Sequence, residues 1–105
     1  MAPLFQRAAE SITTSLTAAS AHYYQCTGRH FLNYLDAAYP RVRYLRQLRR
    51  DPHILDWLAL LRSRKPALAK LTSSHYVIRL RRMLDELAWT QGIPLLARLV
   101  RADDI

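Results

Sequence analysis

The stretch LTSSHYVIRLRRMLDELAWTQG, residues 71–92, is the one segment whose start, faces and stop can all be read. Thr72, Ser73 and Ser74 offer hydroxyls able to accept from the free N–H groups of a first helical turn, and Gly92 followed by Pro94 supplies a stop. The spacing predicts one long helix. Tyr76, Val77, Leu80, Met83, Leu84, Leu87 and Ala88 recur every three or four positions, which gathers them into an apolar stripe that must be buried. His75, Arg79, Arg82 and Glu86 form the opposing row. The row is cationic toward the helix N-terminus, where the helix dipole is also positive, so that end suits an anion.

Working outward toward the N-terminus, residues 66–71 read as a connector after HILDWLALLRSRK, residues 53–65. With Ile54, Leu55, Trp57, Leu58, Leu60 and Leu61 this is the most apolar helix and is expected to be the central one, opened by Asp51 as cap and Pro52 at the first helical position. Before it, RVRYLRQLRR is expected to form a short helix after Pro40, with Val42, Leu45 and Leu48 inward and arginines 41, 43, 46, 49 and 50 around the rest. Thr17 is the expected cap for a first long helix ending before Pro40, with Ser20, Tyr24, Phe31, Leu35 and Ala38 on one face and His22, Cys26, Arg29 and Asn33 opposite, flanked by Tyr23 and His30. Gly28 lies within the buried face at a helix-propensity cost of about 1 kcal/mol, which suggests that another helix crosses closely there. Residues 1–16 are expected to be an N-terminal arm with one turn near Phe5 to Glu10. Beyond Gly92, PLLARLVR reads as a last short helix, and Ala102 to Ile105 as a stop or the beginning of a linker.

The 105 residues suffice for one domain with a single core. The fold class expected is all-α, a compact bundle of four to five helices spanning residues 17–105. No apolar run approaches the roughly 18 residues of a membrane span, and no signal-peptide pattern opens the chain, so a soluble, cytoplasmic protein with no membrane partner is expected. One cysteine, Cys26, excludes an internal disulfide. Of the net charge of +8, residues 1–40 contribute nothing and residues 83–105 contribute −2, whereas residues 41–82 carry twelve basic residues against Asp51 and Asp56. Ten of those twelve are arginine, whose planar fork matches phosphate oxygens and guanine edges, and clustered positive charge gains affinity for nucleic acid by releasing counterions. Enzyme chemistry finds little support. The four histidines lack metal-ligand spacing, the two glycines exclude a phosphate-cradling loop, and Asp85-Glu86 and Asp103-Asp104 read as solvated charge. Cys26 with His22 or His30 resembles a thiol and base, with nothing to orient a third partner. No cofactor, metal or small-molecule substrate is expected.

LTAASAHYYQCTGRHFLNYL, with Thr17, Ser20, Tyr24, Phe31 and Leu35 in order, resembles the opening helix of the core-binding domain of tyrosine recombinases, the phage-integrase superfamily. RRDPHILDWLALL resembles that family's helix with an aspartate, an isoleucine and a Trp-Leu pair, and the 71–94 stretch its closing long helix with a Gly-x-Pro stop. Asp103-Asp104-Ile105 stands where the family's interdomain linker begins. The resemblance spans residues 14–105. Gly28 replaces a common leucine, and the 41–50 insertion is longer than in compact members, which points to a transposon- or plasmid-borne subgroup.

The resemblance implies a SAM-like helical domain that grips one side of a recombination half-site in DNA integration, with the catalytic arginines, histidine and tyrosine in a second domain that these residues do not include. The expected partners are double-stranded DNA and other recombinase protomers, and the expected activity of this chain alone is binding without cleavage. Both the family pattern and the polar faces select the two long helices. His22, Tyr23 and Arg29 on the first, and His75, Arg79 and Arg82 on the last, are the expected DNA contacts, with Arg79 reading a base edge and Arg82 holding phosphate. Arg64, Lys65 and Lys70 are expected to add sequence-independent attraction. The alternatives are a basic protein-interaction module using Arg41 to Arg50, and a helix-turn-helix regulator, against which the long, Pro66-containing connector speaks.

Overall fold

A computed structural model of the chain describes residues 1–14, 17–63 and 70–105, with the backbone alone at Lys70 and Leu71. Four α-helices follow one another: α1 (Ala2–Ile12), α2 (Ala18–Ala38), α3 (Leu55–Ser63) and α4 (Lys70–Thr90). Tighter 3₁₀ turns occupy Leu45–Gln47, Pro94–Arg98 and Ala102–Asp104, and no strand occurs among the described residues. None of the described helices is long and apolar enough to cross a membrane.

Helix α4 is the centre of the fold, in contact with α1, α2, α3 and the Pro94–Arg98 turn. Val77, Leu80, Met83, Leu84 and Leu87 are buried, with Tyr76 and Ala88 half-buried beside them, so the apolar stripe lies where its spacing places it. The helix stops at Gly92, which adopts φ +64°, while the Ile93 amide donates back to the Ala88 carbonyl at 3.0 Å. That is the closing geometry a C-terminal glycine permits. Thr72, Ser73 and Ser74, expected to cap the helix, instead lie inside it. The expectation that residues 53–65 form the central helix is also corrected. Trp57, Leu58 and Leu61 of α3 are buried, but Leu55 and Leu60 remain 39% and 40% exposed, because a nine-residue helix presents one face to the core whatever its composition.

Helix α2 matches its sequence reading more closely. The Thr17 hydroxyl accepts from the Ser20 amide at 3.3 Å, Phe31 and Leu35 are fully buried, and Ala38 lies at the exposed end. Gly28 is buried where α1 and α4 both approach: a Cβ there would stand 3.7 Å from the Met83 thioether and 3.8 Å from Phe5 Cβ. His30, expected beside the polar row, turns inward instead. Its Nδ1 accepts from the Trp57 indole N–H at 3.1 Å, and its ring lies 5.2 Å from that of Tyr76. Trp57 in turn meets Phe31 edge-on at 5.4 Å, so α2, α3 and α4 share one aromatic cluster.

Three segments depart from expectation. Residues 2–12 are a core helix rather than an arm, since Phe5, Ala8 and Ala9 are buried with Leu4 and Ile12 packed against the core. Their spacing is helical, and the two alanines let α1 approach α2 and α4 closely. Residues 41–49 do not form a helix beyond the Leu45–Gln47 turn, and Arg50 opens the separate turn Arg50–Ile54 that leads into α3. Gln47 Oε1 accepts from the amides of Arg43 and Tyr44 at 2.7 and 3.0 Å, taking the place of a helical ladder, while Leu45 and Leu48 are buried. The C-terminal residues are tied down. Asp104, expected to be solvated, receives both terminal nitrogens of Arg50 at 2.7 and 2.8 Å, and Arg50 also donates to the Leu99 carbonyl. Within PLLARLVR the expected short helix is the 3₁₀ helix Pro94–Arg98, and Leu96, Leu99 and Val100 are buried in and after it.

Candidate nucleic-acid interface

The polar faces left over after burial belong mainly to α2 and α4, and at one place the structure joins them. The Arg79 guanidinium lies over the Tyr23 ring, 4.9 Å from its centroid. An arginine on an aromatic face is held by the ring quadrupole for about 0.5–1 kcal/mol at an exposed site, and it keeps its N–H edge available for an acceptor. His22 stands 6.1 Å from the same tyrosine ring, and its Nε2 is 3.4 Å from Cys26 Sγ one turn on. His22, Tyr23, Cys26 and Arg79 therefore form one cluster across two helices, with Tyr23 about half exposed. His75 is exposed one turn before Arg79 on the same face of α4.

The remaining expected contacts are spread around this cluster. Arg29 lines a groove of about 320 Å³ between α1 and α2, with Gln6, Gln25, Asn33 and Asp36 on its rim and Phe5 and Gly28 on its floor. It points away from Arg79, because six residues along a helix from Tyr23 is a rotation of some 120° away from the Tyr23 direction. Arg82 is exposed beside Ser11, Ile12, Asp85 and Glu86, where α4 meets the end of α1. The Ser11 hydroxyl donates to Glu86 Oε1 at 2.9 Å. Asp85 and Glu86 thus close off the cationic stretch of α4 one turn beyond Arg82. Arg64 and Lys65 lie outside the described residues, as does the side chain of Lys70, whose backbone opens α4. The helix dipole offers less than the sequence suggests. Arg79 is nine positions into α4, past the first turn over which a dipole acts.

No group of three or more His, Cys, Asp or Glu side chains among the described residues is arranged to hold a metal ion. The Cys26 and His22 pair has no carboxylate contact among the described residues to orient the imidazole. Two further rings are exposed, one of them Trp89, which lies off the apolar stripe and, from the sequence, is expected to pack under the last short helix or against a missing domain. Trp89 is 86% exposed on α4, so it is not packed under the Pro94–Arg98 turn, and Tyr44 is 69% exposed within the arginine-rich segment. Compared with protein-family models, with curated proteins and with solved structures, the chain matches none.

Proposed function

We propose that this chain binds double-stranded DNA through the joined faces of α2 and α4, as the N-terminal, non-catalytic half of a site-specific tyrosine recombinase. The observation that carries the reading is the Arg79 guanidinium resting on Tyr23, which builds an arginine, an aromatic ring and His22 into one surface drawn from both long helices. Arg79 is the base-edge reader, since its fork is oriented by the ring beneath it and its position is fixed by the buried turn of Leu80 and Met83. His22, Tyr23 and His75 border it, and Arg82 meets phosphate at the edge of the surface. The recombinase assignment rests on the sequence resemblance, the order and spacing of the helix motifs across residues 14–105. The DNA assignment rests also on charge, since the described core is complete without these cations.

The test is binding of labelled duplex by fluorescence anisotropy at about 50 and 200 mM salt, where clustered phosphate contacts predict a steep fall in affinity. Arg79→Ala is expected to weaken binding by about 1–3 kcal/mol, with an unchanged circular dichroism spectrum. Binding that is absent at low salt in a folded chain rejects the reading. Binding that Arg79→Ala leaves intact rejects this surface as the site.

A further inference from the structure

Residues 41–49 present a second cationic surface, built differently from the first. The segment leaves the C-terminal end of α2 after Tyr39, far along that helix from Tyr23. Of its five arginines with Arg50 included, two are already engaged: Arg50 grips Asp104, and the Arg49 guanidinium folds back onto the carbonyls of Arg46 and Leu48 at 2.6 and 2.8 Å. Arg41, Arg43 and Arg46 are exposed and have no acidic partner among the described residues. Tyr44 stands among them with most of its ring in solvent.

The backbone that carries these three arginines is held in place. Leu45 and Leu48 anchor it in the core, and Val42 is half-buried against the core. Gln47 takes the Arg43 and Tyr44 amides, and the Arg49 amide donates to His53 Nδ1 at 2.9 Å. A loop fixed in this way pays little ordering cost when its cations meet a ligand. Three exposed arginines on a fixed loop, with an exposed tyrosine between them, match the phosphates and sugars along a duplex backbone. An acidic polypeptide would satisfy the charges and the forks, since carboxylates also accept bidentately, but it offers no sugar for the exposed ring to meet.

We propose that Arg41, Arg43 and Arg46, with Tyr44, form a second DNA contact, on the phosphate backbone of the duplex and separate from the α2–α4 surface. The inference takes the identity of the polymer from the reading above, but its position stands on this segment alone. Phosphate contacts add affinity without sequence preference and make it salt-dependent.

The experiment compares wild type, Arg79→Ala, and a triple Arg41→Gln, Arg43→Gln, Arg46→Gln variant for duplex affinity across a salt series, with poly-glutamate as a competing ligand. All three substituted side chains are exposed, and circular dichroism checks the fold. The triple variant is expected to bind at least about tenfold more weakly at low salt. Its slope of log affinity against log salt is expected to be shallower by roughly two to three, near 0.9 for each phosphate that is no longer neutralised. A triple variant with wild-type affinity and slope overturns the proposal. So does loss of poly-glutamate binding with DNA binding intact, which assigns the segment to an acidic protein. If the triple variant weakens binding and Arg79→Ala does not, this contact stands and the α2–α4 surface falls. A wild-type chain that binds no duplex at low salt rejects both.

Discussion

His53 is only 8% exposed, in the turn that enters α3, and its Nδ1 accepts the Arg49 amide. The Tyr39 ring packs edge-on against it, the Tyr34 hydroxyl donates to its carbonyl at 2.7 Å, and the Tyr39 hydroxyl reaches Asp56. Burial, and then the Arg49 charge, push its pKa below the usual histidine value, with Asp56 opposing. The folded chain therefore disfavours the protonated imidazole. The stability this contributes is fully present above the unfolded pKa near ~6.5 and is lost as pH falls through the lowered folded value. Chemical denaturation at a series of pH values should show stability declining below about pH 6.5, and His53→Asn, whose Oδ1 can replace the Nδ1 acceptor, should flatten that decline. Asp104 behaves similarly at lower pH, since the Arg50 guanidinium holds its carboxyl below the usual range. Arg50→Ala should cost about 2 kcal/mol by removing charge-assisted hydrogen bonds to a largely buried carboxylate. Gly28→Ala should do the reverse. The added methyl meets Met83 and Phe5 at ordinary van der Waals distance, so the gain in helix propensity, about 1 kcal/mol, should appear as a raised thermal midpoint. The sequence reading placed Gly28 at a close crossing, which is where it lies. That the crossing still has space for a methyl depends on helix separation, which no local pattern encodes.

At the scale of elements, α1 is the least obvious contributor. Phe5 is buried against Phe31, with ring centroids 6.0 Å apart, and forms part of the wall around Gly28. Phe5→Ala should cost about 3–5 kcal/mol, measurable as a reduced denaturant midpoint, and that is a large share of the stability of a domain this size. A dispensable arm would show no such loss. The helical spacing of Phe5, Ala8, Ala9 and Ile12 is present in the sequence, but alanine carries a weak apolar signal and only the facing helices give it weight. Residues 41–50 show the converse. Leu45 and Leu48 recur at a helical interval and are indeed buried, yet the same three-residue interval suits a single 3₁₀ turn between extended stretches of chain. Burial was legible there; backbone conformation was not.

For the whole molecule, the net charge of +8 should act on folding and on the proposed duplex binding with opposite signs. The excess lies between residues 41 and 82, and one ion pair, Arg50 with Asp104, is formed among the described residues. Self-repulsion should therefore weaken as salt is added, raising the thermal midpoint modestly between low and physiological ionic strength, while duplex affinity falls over the same range. Parallel melting and anisotropy titrations read both trends from one set of buffers. The amino-acid sequence by itself determined the helical class, the α2 cap at Thr17, the α4 stop at Gly92 and the buried stripe from Val77 to Leu87, because each is written within a few turns of chain. Only the tertiary structure decided that α4 is central and that α1 belongs to the core. It also decided that Arg79 rests on Tyr23 while Arg29 faces another groove, and that Arg50 is paired while Arg41, Arg43 and Arg46 meet no carboxylate among the described residues. The physical reason is common to all of these: each depends on which helices cross and at what rotation, a balance of burial summed over residues far apart in the chain.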